Sequence, residues 1–96
     1  MIKITKELLS RWFDKVNKEF FNNELRKTDF VITHNNSRFG QFRPRTWTIE
    51  ISTYWVRSER DYINTLIHEC CHCYVRQKYG IYAQSHGYEW KEVADR

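Results

Sequence analysis

A single proline and three glycines in 96 residues leave little material for linkers. The chain therefore reads as one domain spanning 1–96 rather than several. Cysteine is equally sparse, and Cys70, Cys71 and Cys73 lie within four positions. Thiols crowded like this cannot build a disulfide framework, because adjacent side chains on a helix point apart. Free thiols suit a reducing compartment. No stretch approaches the roughly 18 apolar residues of a membrane span. The opening Met1-Ile2-Lys3-Ile4-Thr5-Lys6-Glu7 is too charged for the apolar core of a signal peptide. These absences point to a cytoplasmic protein without membrane contact, and they leave its oligomeric state open.

What is present suits a small globular fold: 41% of residues are hydrophobic and 17% aromatic. The formal charge is 16 − 12 = +4 and is unevenly placed. Residues 1–46 hold ten Lys/Arg against five Asp/Glu, whereas 47–96 hold six against seven. A polyanionic partner would meet the first half first, although a basic soluble surface needs no partner at all.

Leu8, Leu9, Trp12, Phe13, Val16, Phe20 and Phe21 recur at three- and four-residue spacing, which predicts a helix over about 6–22. Thr5 is its N-cap and Asn22-Asn23 its stop. Three short strand candidates follow, at Asp29–His34, Arg38–Arg43 and Thr46–Ser52. Asn35-Asn36-Ser37 and Pro44-Arg45 separate them. In the third, Trp47, Ile49 and Ile51 share one face. Ser58 with Glu59 and Asp61 opens a second helix, and Arg76, Lys78 and Gly80 close it. A shorter helix is expected near 87–96, where Trp90, Val93 and Ala94 pack inward. The sequence ends inside that helix without a capping signal, as a fragment of a longer protein would. The expected fold class is α+β: N-terminal helix, three-stranded antiparallel sheet, second helix, short C-terminal helix.

The chemistry is concentrated in His68-Glu69-Cys70-Cys71-His72, an H-E-x-x-H motif inside the second helix. At about 100° per residue, His72 lies roughly 40° round from His68 and one turn along, so both imidazoles reach one metal ion. Glu69 sits at the edge of that face, where it touches a metal-held water without being a ligand. Ile63, Leu66, Ile67, Cys70 and Tyr74 occupy the opposite arc and should be buried. Catalytic zinc usually takes three protein ligands and keeps one open position. His86, beyond the Tyr79-Gly80 break, is placed to return as the third. A chance surface pair of histidines would have neither the helix context nor the third histidine. The cysteines are expected to pack, and Cys73 points about 100° away from His72.

The run from His68 to Lys91, HECCHCYVRQKYGIYAQSHGYEWK, resembles the SprT-like zinc metalloprotease family (SprT and Spartan type). The similarity rests on the H-E-x-x-H helix, the Tyr79-Gly80 break, and His86-Gly87 followed by Glu89-Trp90-Lys91. More loosely, Arg38-Phe39-Gly40 and Trp47–Ser52 look like the family's sheet. The resemblance implies a small zincin-like fold, zinc held by His68, His72 and His86, catalysis by Glu69, and protein substrates, some associated with DNA. Many relatives continue into a second zinc-binding segment built on cysteine pairs, and this sequence ends before one.

The expected activity is therefore zinc-dependent hydrolysis of peptide bonds. Tyr79, Tyr88, Arg76 and His34 are candidates for stabilising the developing oxyanion. Arg38, Arg43 and Arg45, interspersed with Phe39 and Phe42, form a candidate contact for single-stranded DNA. The ordinary alternative is arginines on the wet face of a sheet. Two other functions suit the same motif. A non-catalytic, zinc-stabilised nucleic-acid-binding module would not need Glu69. An H-E-x-x-H peptidase that cuts one regulatory protein is disfavoured by His86-Gly87 and Trp90-Lys91.

Overall fold

The computed structural model of the protein describes residues 2–80. The expected helix at 87–96 and the third histidine, His86, lie outside the described residues, as does Tyr88. Helix α1 spans Lys6–Phe21 and helix α2 spans Glu59–Tyr79, with strands β1 (Asp29–Thr33), β2 (Gly40–Arg43) and β3 (Thr48–Ser52) between them. Among the described residues, no helix is long and apolar enough to cross a membrane.

The helix signals act as their chemistry requires. Thr5 Oγ1 accepts from the Leu8 N–H at 3.1 Å, and Asn22 leaves α1 in a left-handed conformation at φ 53°. Leu9, Trp12, Phe13, Val16 and Phe21 are buried along one stripe, while Phe20 in the last turn is half exposed. At the start of α2, Ser58 Oγ accepts from the Asp61 N–H at 3.1 Å, and Gly80 ends the helix at φ 71°.

The sheet is mixed rather than antiparallel. Its order is β1-β3-β2, with β1 parallel to β3 and β2 antiparallel to it. Alternation in the sequence assigns each residue a face, but it carries no information about strand direction or neighbour. The connection decided the topology. Residues 34–39 are long enough to pass β1's neighbour position, two strand spacings or about 9.5 Å away, and β3 then returns into the gap. Trp47, expected on β3, instead occupies the β2–β3 turn at φ 53°. There its indole N–H donates to Arg26 O at 3.0 Å.

The crossover also explains why all five residues of β3 are buried. Ile49 and Ile51 face the helices in the core. Thr48, Glu50 and Ser52 face the other way, and the loop covers the last two: Ser52 Oγ donates to Asn35 O at 2.6 Å. Glu50, only 1% exposed, pairs with Arg38 Nε at 3.2 Å and with the Arg43 guanidinium. Both arginines therefore neutralise a buried carboxylate.

Asn17 and Gln77 clamp the loop that joins α1 to β1. Asn17, buried on α1, donates to Leu25 O at 3.1 Å and accepts from Leu25 N–H at 3.0 Å. Gln77 on α2 accepts from Arg26 N–H at 2.9 Å and donates to Glu24 O at 2.6 Å. Asn17→Ala leaves a buried backbone donor and acceptor unmade, so it should destabilise the protein by about 2 kcal/mol or more in urea unfolding. Exposed Glu19→Ala should change stability by less than about 0.5 kcal/mol.

Candidate active site

Helix α2 turns His68 and Glu69 towards β2, with His72 one turn further along. The His68 and His72 rings are 5.0 Å apart between centroids and inclined at 73°, as one helical turn allows. Both are half-buried, while Leu66, Cys70, Cys73 and Tyr74 on the opposite arc are buried in the core. A shallow cleft of about 330 Å³ lies alongside, lined by Phe39, Gly40, Asn64, Thr65, His68 and Glu69. A larger groove of about 980 Å³ between α1 and β1 holds none of these groups.

The strand pairing fixes what β2 offers to that cleft. Ser52 N–H donates to Phe39 O at 2.9 Å, so Phe39, Gln41 and Arg43 direct their peptide groups at β3. The peptide groups of Gly40 and Phe42 consequently point to the outer edge. Phe42 N–H donates to the Glu69 carboxylate there. Glu69 is only 5% exposed. Burial pushes its carboxyl up to about 7; the Phe42 hydrogen bond opposes the rise, and the negative charge of Glu50 adds to it. A carboxyl that titrates near neutrality is matched to taking up and giving back a proton.

Gly40 makes this proximity possible. A Cβ at residue 40 would lie 3.0 Å from Glu50 O, 3.0 Å from Thr65 Cγ2 and 3.4 Å from Glu69 Oε2. A lone glycine inside a strand pattern is a signal of close backbone approach, one left unused at Gly40 in the sequence reading.

The other candidates are distributed differently. Among the described residues no three His, Cys, Asp or Glu side chains gather closely enough to hold a metal ion. All three cysteines are buried and free, and burial raises every thiol, Cys71 to about 11. They serve the core as small apolar groups. Arg38 and Arg43 are held on Glu50, while Arg45 is exposed in the turn after β2. Phe42 packs edge-to-face on Trp47 at 4.9 Å. His34 lies past the end of β1, 5.1 Å from the Tyr54 ring. Arg76 and Tyr79 follow His72 in the last turns of α2.

Gly40→Ala should destabilise the protein by about 1–3 kcal/mol in urea unfolding, because backbone and side chain both crowd the added methyl. Thr65→Ser in the same background removes one of the two 3.0 Å contacts and should recover part of that loss.

The SprT-like family matches residues 9–96. Among solved structures, the crystal structure of the metallopeptidase zymogen of Methanocaldococcus jannaschii jannalysin shares the fold, with a TM-score of 0.67 at 16% identity. The alignment covers 99% of this chain and 80% of that one. No curated protein matches the sequence. The family match extends from α1 through the His68-Glu69 helix to the last residue, on a fold shared with a metallopeptidase, and the chain belongs to the SprT-like family.

Proposed function

We propose that this protein is a zinc-dependent metallopeptidase of the cytoplasm, with His68, His72 and His86 as zinc ligands and Glu69 as general base. One observation carries the reading: a buried carboxylate adjoins two imidazoles one turn apart, at the exposed peptide edge of a strand. The donor set fits zinc, since neutral imidazoles with one more histidine make a three-nitrogen site with an open position. Bound there, zinc supplies Lewis acidity to the scissile carbonyl and to the attacking water.

The chain's own residues supply the rest. The outward peptide groups of Gly40 can pair with an extended substrate as an added strand, setting the scissile bond beside Glu69. Glu69 takes the proton of the attacking water and passes it to the departing amine. Burial strengthens the carboxylate as a base, and a carboxyl near neutrality still gives the proton up afterwards, so one group suits both halves of the transfer. A non-catalytic, zinc-stabilised module would have no use for a buried carboxylate against the substrate edge. Family membership supports proteins associated with DNA as substrates.

Glu69→Gln should keep zinc and fold but reduce hydrolysis of an unfolded protein by at least about 100-fold, because the amide cannot accept the proton. Elemental analysis and a gel-based cleavage assay read the two properties separately. Full activity in this variant would remove Glu69 from the chemistry, and loss of zinc would make it a ligand. His86→Ala should lose most of its zinc, whereas Cys71 and Cys73 replaced together by Ala should retain it. The opposite pattern would transfer the third ligand to a cysteine.

A further inference from the structure

Among the described residues, the large exposed hydrophobic side chains are Phe20, Phe39, Tyr54 and Val56. Phe20 stands apart on α1, whereas Phe39 lines the cleft and Tyr54 shares the neighbouring ring of Trp55 with it; Val56 lines a separate pocket beside Trp55 and Arg57. Phe39 is 48% exposed and Val56 83%. Phe39 meets the Trp55 ring at 4.7 Å, and Tyr54 meets the same ring at 5.1 Å, both edge-to-face. The Arg57 guanidinium lies over Phe39 at 4.1 Å and near Tyr62 at 5.3 Å. We infer that Phe39, Tyr54, Trp55 and Arg57 form a side-chain subsite for a large apolar or aromatic residue of an extended peptide lying in the Glu69 cleft. The inference rests on the peptidase reading and adds the substrate preference to it.

Three features favour a peptide side chain here. The first is continuity: Phe39 lines the 330 Å³ cleft together with His68 and Glu69, and it immediately precedes Gly40. A backbone paired along the Gly40 edge would carry its side chains past the aromatic group, as strand addition places alternate residues into pockets. The second is preorganisation. Arg57 donates to Thr65 Oγ1 at 2.8 Å and to Asp61 O at 3.1 Å, and Tyr62 Oη donates to Trp55 O at 3.4 Å. These bonds tie the 53–57 loop to the first turns of α2, so the rings are set before a ligand arrives. The third is the chemistry of the cluster. Aromatic side chains prefer edge-to-face contact, so a further ring can join this cluster in the same manner, whereas stacked nucleobases need open ring faces. The nearby cations are already engaged, Arg57 with α2 and Arg38 and Arg43 with Glu50.

The test measures binding and cleavage separately. Short acetylated Ala-Ser peptides, identical except for Phe or Ala at one central position, are titrated calorimetrically into full-length, zinc-loaded Glu69→Gln protein. The Phe peptide should bind about tenfold tighter or more, a difference typical of an apolar side-chain pocket. That advantage should disappear when Phe39→Ala or Trp55→Leu is added. Phe39 is half exposed, so its truncation should fold, and matching circular dichroism and unfolding curves would verify it. Equal affinity for the two peptides, or an advantage that survives both substitutions, would overturn the subsite. Binding of oligothymidylate through Phe39 and Trp55 with no discrimination between the peptides would also overturn it, by assigning the rings to nucleotides. Wild-type protein is then tested for cleavage at a fixed offset from Phe. If the Phe peptide binds selectively but is never cut, the peptidase reading fails and the subsite stands. If cutting occurs without selectivity, the reverse holds.

Discussion

The site depends on how closely β2 can approach α2, and one absent side chain sets that distance. With hydrogen alone at residue 40, the strand settles against Thr65 and Glu69, and a methyl there would meet backbone on one side and helix on the other. The approach removes Glu69 from water, gives it the Phe42 N–H as a partner, and sets the outer peptide edge of β2 beside His68. Burial of the carboxylate, the shape of the cleft and the position of Phe39 on its wall are consequences of the same contact. A more distant strand would leave Glu69 solvated and without the Phe42 N–H as a partner.

Holding β2 there falls to β3 and the loop that covers it. Because the chain crosses from β1 to the far edge before returning, β3 is enclosed on both faces and can carry Glu50 without exposing it. A lone buried carboxylate would be strongly unfavourable; Arg38 and Arg43 flank it, one from the crossover and one from β2. The ion pairs thus tie the edge strand and the loop to the central strand. Glu50 also adds negative charge near Glu69 and helps to hold its carboxyl high. Arg38 and Arg43, which the sequence offers for phosphate contact, pair with Glu50, while Arg45 stands exposed in the turn.

Architecture and chemistry together explain how so small a chain can hold two imidazoles and a buried carboxylate at one cleft. The helix supplies spacing for His68, Glu69 and His72, the strand supplies its outer edge, and the 53–57 loop sets the Trp55 ring and the Arg57 guanidinium against Phe39. Each comes from a different element, and none is useful without the others. The clamp of Asn17 and Gln77 on the 22–28 loop keeps α1 and α2 in register with the sheet they share. The cysteines, conspicuous in the sequence, are packing groups whose burial keeps them protonated.

Both described helices were legible in the sequence to within a residue, because capping and amphipathic spacing are local properties that the chain carries with it. The H-E-x-x-H face was legible for the same reason: helical geometry alone puts His68 and His72 together and Cys70 on the other side. Strand direction was not, since alternation is identical in parallel and antiparallel pairing, and only the path of residues 34–39 resolved it. Nor could the sequence assign Trp47 to a turn, commit Arg38 and Arg43 to Glu50, or bring Phe39 to Trp55 and Arg57. Those pairings join residues far apart in the chain through packing. The sequence by itself determined which groups could do chemistry and on which helical face they stand. Tertiary structure alone decided what surrounds them, because desolvation, charge pairing and cleft walls are properties of neighbours in space.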